Sequence, residues 1–225
     1  MMNKCIIFAL AIACVSSSFV EYSPSATVNR AVIRSAVPTG PAQTAPSATT
    51  DFSYLVNKLR TVVSGLTDEQ IKNAQMIVAE AATVTKDERI AAYLLATAYS
   101  DSNLIPVVEK LSEKPAIKAA QATYFASGYE SRGFSMASGP TLGNKIVNLL
   151  KSLKVSIKDR KKDLLKPENA AKVLVHGALN GTFTARKLTE FISGKVADFV
   201  KARLALNGDN LAEIIASITQ KILKA

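Results

Sequence analysis

RIAAYLLATAYSDSNLIPVVE, residues 89–109, is the stretch from which the rest of the chain can be read. Ala91, Ala92, Leu94, Leu95, Ala98 and Tyr99 recur at helical spacing, Lys86-Asp87-Glu88 supplies an acidic first turn, and Asn103 with Pro106 closes the pattern. The spacing predicts a helix followed by a turn. Two carboxylates, Asp101 and Glu109, then fall where the helix stops and the next loop begins. The end of a buried helix can hold an acid beside a substrate, because the helix fixes the side chain while the loop leaves one side open. Spacing alone favours the plainer assignment of two solvated surface acids.

Helical patterns continue on both sides of this stretch. Upstream, Phe52, Leu55, Leu59, Val62 and Val63 form an apolar stripe that breaks at Gly65. Thr67 with Gln70 three residues later has the form of a capping box, opening a helix through Ile71, Ala74, Ile77 and Val78. Downstream, residues 118–127 and 145–153 read as helices, and Pro167-Glu168 opens another with proline in its first turn. Gly177, Asn180 and Gly181 mark its exit, Thr184 is placed to cap the next helix, and Asn207-Gly208 turns between two closing helices. Strong β-formers are scattered rather than clustered, so the expected fold class is all-α over residues 51–225.

The chain ahead of that domain has a different composition. Residues 1–18 carry a lone Lys4, an apolar run from Cys5 to Val15, and then Ser16, Ser17 and Ser18, the layout of a secretory signal peptide rather than a membrane span. Both cysteines, Cys5 and Cys14, lie inside it, so a mature secreted chain would hold no disulfide and its core must stabilise it unaided. Residues 19–50 are rich in Ser, Thr, Ala and Pro and read as a disordered linker or propeptide that also suits O-glycosylation. The 225 residues, 48% hydrophobic and 20% charged, are enough for one domain plus these extensions.

Two further segments stand out. GYESRGFSMASGPTLGN, residues 128–144, is crowded with small residues around an arginine and aromatics, which implies a sharply turning backbone or a plain surface loop. KSLKVSIKDRKKDLLK, residues 151–166, holds seven basic residues against Asp159 and Asp163. It reads as a solvated basic face, or as a surface that attracts acidic glycans, envelopes or lipid head groups. Despite a net charge of +10, nucleic acid is not the expected partner of a secreted chain that lacks an aromatic-interleaved basic motif. His176, the only histidine, has no Ser or Cys nucleophile motif beside it and is expected to be packed or on the surface. No cofactor and no metal are expected.

Four blocks in collinear order resemble glycoside hydrolase family 19, the chitinase and phage-endolysin type of the lysozyme-like superfamily. AYLLATAYSDS with IPVVEK is similar to the family's catalytic helix and following loop. Tyr129, Arg132, Gly133, Phe134 and Gly139 fit its Gly-Arg-Gly-aromatic loop, PENAAKVLVHGALNGTFTARKLTEF fits its next helix, and Asp198, Phe199, Ala202, Arg203, Asn207, Gly208, Ile214 and Ala216 fit its closing block. The resemblance, running from about Leu66 to the C-terminus, implies a lysozyme-like helical domain with the small-residue-rich loop lining a cleft. It places the family's acid on Asp101, its second carboxylate on Glu109 and a water-positioning hydroxyl on Ser138, and substrate contacts on Tyr99, Tyr129, Arg132, Asn180 and Arg203, the last pointing toward the cleft.

Departures from the pattern fall on the chemistry. Ser100 replaces the family's histidine, Asp101 replaces a glutamate, the intervening loop is shorter, Ser131 replaces a glycine, Met136 a glutamine, and Leu142-Gly143 an Asn-Tyr pair. Inverting glycosidases need an acid and a base roughly 6.5–9.5 Å apart. Asp is about one methylene shorter than Glu, and a displacement near 1 Å can cost on the order of 100-fold in rate. Each lost amide removes hydrogen bonds worth about 1–3 kcal/mol in a buried site. The expected function is a secreted chitinase-like or lysozyme-like protein with weak or lost glycosidase activity, binding chitin- or peptidoglycan-type glycan or another anionic surface. The alternatives are an active inverting enzyme on β-1,4-linked N-acetylglucosamine polymers, or a secreted structural or interaction protein that keeps only the scaffold.

Overall fold

A computed structural model describes residues 50–135 and 138–225. The expected signal peptide and all but the last residue of the expected linker lie outside the described residues, as does Met136.

The fold is built around one helix that is buried on every side. Helices α1 (Tyr54–Val62), α2 (Asp68–Ala82) and α3 (Glu88–Ser102) come first, and eleven of the fifteen residues of α3 are buried. Alanine at 91, 92, 96 and 98 lets neighbouring helices come close, and Ile90, Leu94 and Leu95 fill the space between. A helix apolar around most of its circumference belongs in a core. Helix α3 packs on α2 and on the last helix α8 (Ala212–Lys224), while α1 closes over α8. Helix α7 (Pro167–Asn180) packs on α2, and α5 (Pro140–Ser152) on α7.

Caps follow the sequence where it speaks clearly. The Thr67 capping box forms: Gln70 N–H donates to Thr67 Oγ1 at 3.3 Å and Thr67 N–H to Gln70 Oε1 at 2.8 Å. The same Gln70 donates through Nε2 to the Asn103 carbonyl, and Asn73 donates to that of Leu104, both at 2.9 Å. Asn103 and Leu104 are both left-handed, with φ of 53° and 60°, a costly backbone for a leucine that two amides of α2 hold in place. This turn sends the chain from α3 toward Glu109.

The all-α expectation holds for the bulk of the chain, with two short exceptions. Strands β1 (Val107–Val108) and β2 (Arg132–Gly133) pair antiparallel, as do β3 (Ile192–Ser193) and β4 (Val196–Ala197). Two residues per strand leave no period for sequence to show. Helix α5 starts at Pro140, five residues before the predicted start, because proline suits a first helical turn. Gly143 in α5 is needed for packing: a Cβ there would stand 2.4 Å from the Tyr129 ring. Gly177 likewise makes room for Phe183, whose ring would be 2.5 Å from an added Cβ.

Thr184 does not cap a helix. Its hydroxyl donates to the Leu204 carbonyl at 2.7 Å, and the next element is a 3₁₀ turn over Leu188–Glu190 that starts after Lys187. A second 3₁₀ segment, Lys201–Ala205, stands where the sequence reads as an α-helix, and it carries Arg203 into the core. Among the described residues no helix is long and apolar enough to cross a membrane.

Candidate functional site

Asp101 does not face an open site. It lies on the last turn of α3, is 5% exposed, and its two oxygens accept from Arg203 Nη1 and Nη2 at 2.8 Å each. Arg203 is fully buried and gives its Nε–H to the Asn210 carbonyl at 2.9 Å. Burial raises the Asp101 carboxyl above its ordinary value, and the guanidinium's charge and hydrogen bonds offset only part of that rise. Because the guanidinium remains charged, protonating Asp101 would leave a cation buried and unpaired. The geometry therefore holds Asp101 as an ionised partner. Arg203, expected to point toward a cleft, points into this pair instead, because the 3₁₀ segment turns its side chain inward against α3.

Glu109 sits in a different setting. It is partly exposed, follows β1, and its N–H donates to the Ser131 carbonyl at 2.9 Å, extending the β1–β2 pairing. Oε1 accepts from Gln121 Nε2 and the Tyr124 hydroxyl, both at 2.7 Å. Oε2 accepts from the Ser131 hydroxyl at 2.7 Å and its N–H at 3.2 Å. Ser138 lies beside the Tyr124 hydroxyl, whose pKa is raised first by burial and then by the Glu109 carboxylate. The structure thus gathers Glu109 and Ser138 of the three expected catalytic residues. Gln121, Tyr124 and Ser131 complete the cluster, and sequence reasoning did not single them out. Ser131 had a signal in its departure from the pattern the stretch resembles, and its hydroxyl stands beside the carboxylate.

The expected substrate contacts are scattered. Arg132 is buried in a pair with Glu130 and donates to the Lys161 carbonyl at 3.3 Å. Tyr129 lies under the Arg160 guanidinium, 4.1 Å from ring centroid to cation, and donates its hydroxyl to Asn144 at 3.2 Å. These contacts make Tyr129 and Arg132 struts of the loop. Tyr99 is half-buried against the core, and Asn180 is exposed at the end of α7 before the left-handed cap Gly181.

His176 packs between α7 and α2, with Nε2 2.7 Å from Glu80 Oε1, and Lys172 Nζ donates to Glu80 Oε2 at 2.7 Å. The His176 hydrogen bond, then Lys172, hold the Glu80 carboxyl below its ordinary value of 4.5 against the effect of burial. A carboxylate whose pKa is lowered by folding adds stability above its unfolded pKa and loses it as pH falls through the folded value. The melting temperature is therefore expected to fall below about pH 4.5, and the Glu80→Gln variant to lose that part of the acid dependence. Parallel pH–Tm curves for the two proteins would refute the assignment.

Among the described residues no group of three His, Cys, Asp or Glu side chains is placed to hold a metal ion. No protein family, curated protein or solved structure matches this chain.

Proposed function

We propose that this is a secreted lysozyme-like protein that binds glycan of the chitin or peptidoglycan type and has lost efficient glycosidic cleavage. The observation that carries the reading is the buried, two-hydrogen-bond pair between Asp101 and Arg203. A general acid must present a proton to the leaving oxygen, and a carboxylate closed off by a guanidinium presents none. General acid catalysis is worth about 10²–10⁴-fold, so its loss alone removes most turnover. Glu109 keeps a partly exposed carboxylate among a phenol, an amide and two serine hydroxyls, the kinds of group that hydrogen-bond sugar hydroxyls.

Incubating the full chain with chitooligosaccharides and with purified peptidoglycan tests this. Hydrolysis is expected to stay at background and to be indifferent to Asp101→Asn and Glu109→Gln, each checked for folding by circular dichroism. Binding to insoluble chitin or peptidoglycan is expected to weaken in Glu109→Gln. Turnover that vanishes in either variant would make the protein a working inverting glycosidase. Absence of both turnover and glycan binding would leave a scaffold alone.

A further inference from the structure

Residues 151–166, which join α5 to α7, carry seven basic and two acidic residues, a net charge of +5 in sixteen positions. Both acids are spent on the backbone of the segment itself. Asp159 accepts from the N–H groups of Lys161 and Lys162 at 2.9 and 3.3 Å, capping the one-turn helix α6 (Arg160–Asp163). Asp163 accepts from the N–H groups of Lys158 and Asp159 at 2.8 and 2.9 Å and from Lys166 Nζ at 2.7 Å. Lys166, then those two amides, pull its carboxyl down to about 2. The backbone is pinned from below as well, since Asn169 donates to the Asp163 carbonyl at 2.9 Å and Leu164, Val155 and Ile157 pack with Ile146, Leu150 and Val173.

The pinning fixes which side chains face out. From Lys154 to Lys158 exposure alternates, with Lys154, Ser156 and Lys158 out and Val155 and Ile157 half-buried. Lys154 opens this run in a left-handed turn, with φ of 60°, and Lys158 closes it at a bend. Lys161 is also exposed, and among the described residues Lys154, Lys158 and Lys161 have no ion pair and no side-chain hydrogen bond. Arg160 is not available to a ligand, being engaged with the Gly128 carbonyl and the Tyr129 ring. Three ammonium groups of one short segment are thus left without a charged partner among the described residues, in a stretch whose net charge of +5 costs mutual repulsion.

We infer that this ridge, through Lys154, Lys158 and Lys161, is a docking surface for a linear anionic polysaccharide. Charge complementarity gives the sign of the partner. Lysine ammoniums are point charges that meet sulfate or carboxylate without demanding one geometry, which suits a repetitive polymer. Among the described residues the exposed large apolar side chains are Tyr54, Val84, Leu111, Val196, Val200 and Ile214, and none lies in the segment, so it offers no anchor for the acyl region of a membrane. No free aromatic face is offered for stacking bases, since Arg160 covers Tyr129. The surface acts independently of the Glu109 cluster, and a neutral glycan would not be held there.

Heparin serves as the probe. The Lys154→Ser/Lys158→Ser/Lys161→Ser variant is compared with Lys86→Ser/Lys118→Ser/Lys195→Ser, which removes the same charge from exposed positions elsewhere. The ridge variant is expected to bind heparin on the order of 10- to 100-fold more weakly near physiological salt, and to show a log K against log salt slope smaller by about two to three. Its melting temperature should be unchanged or higher, because repulsion is relieved. The control triple should retain most of the affinity, and neutral dextran should bind to neither. Equal losses in the two triples would reduce the effect to diffuse net charge and overturn the assignment. Tighter capture by vesicles containing phosphatidylserine than by heparin would reassign the ridge to a lipid surface.

Discussion

Asp101→Ala is expected to destabilise the protein by about 3–5 kcal/mol, because it leaves the Arg203 guanidinium buried without a counter-charge. That is a third or more of the stability of an ordinary domain, about 5–15 kcal/mol. The pair itself need not be strongly stabilising: taking both charges out of water costs nearly as much as their attraction returns. Asp101→Leu combined with Arg203→Met should therefore recover most of the loss, up to the hydrogen bond that Arg203 gives to Asn210. Urea unfolding of Asp101→Leu, of Arg203→Met and of the double gives the coupling energy directly. A single variant that loses less than about 1 kcal/mol would mean the pair is solvated, and the argument against Asp101 as an acid would fall with it.

Glu109→Ala is expected to release helix α4 (Pro115–Ala126) while leaving the rest of the fold in place. Only Gln121 of that helix is buried, and Gln121 and Tyr124 are both fastened to the Glu109 carboxylate. Gln121 also accepts from the Ser112 N–H at 2.6 Å and donates to the Lys110 carbonyl at 3.2 Å, contacts within the same local stretch. Hydrogen bonds to a charged group contribute about 1.5–3 kcal/mol each, so losing the two should speed amide exchange across α4 on the order of 10²- to 10⁴-fold. The global melting temperature should move little. Unchanged α4 exchange would show that the helix is held by something other than this carboxylate. Should Glu109→Gln keep α4 protected yet weaken glycan binding, the carboxylate's ligand role would be separated from its structural one.

The two acids illustrate how far sequence could go. Both were visible in the stretch 89–109, Asp101 falling on the last turn of α3 and Glu109 just beyond β1. What separated them was invisible there: Asp101 meets a residue 102 positions away, while Glu109 meets groups 12, 15 and 22 positions away. Arg203 was named as a site residue from its motif, but an arginine in a helical pattern does not announce whether it turns inward. Residue 203 lies in a 3₁₀ segment, and that local change of period decides its direction. The Tyr129 and Arg132 side chains were likewise expected at a ligand and instead brace the loop that holds the basic ridge.

The sequence by itself determined what local rules can encode. Helix existence follows from apolar spacing, helix starts from the Thr67-Gln70 box and from Pro167, and the charge of residues 151–166 is counted directly. Tertiary structure alone decided which polar groups are buried together, since burial is set by contacts between distant segments and a carboxylate's chemistry depends on its surroundings more than on its identity. Asp101 became half of an ion pair because Arg203 folds back on it, and Glu109 remained a partly exposed carboxylate because a phenol, an amide and a serine close around it rather than a counter-charge.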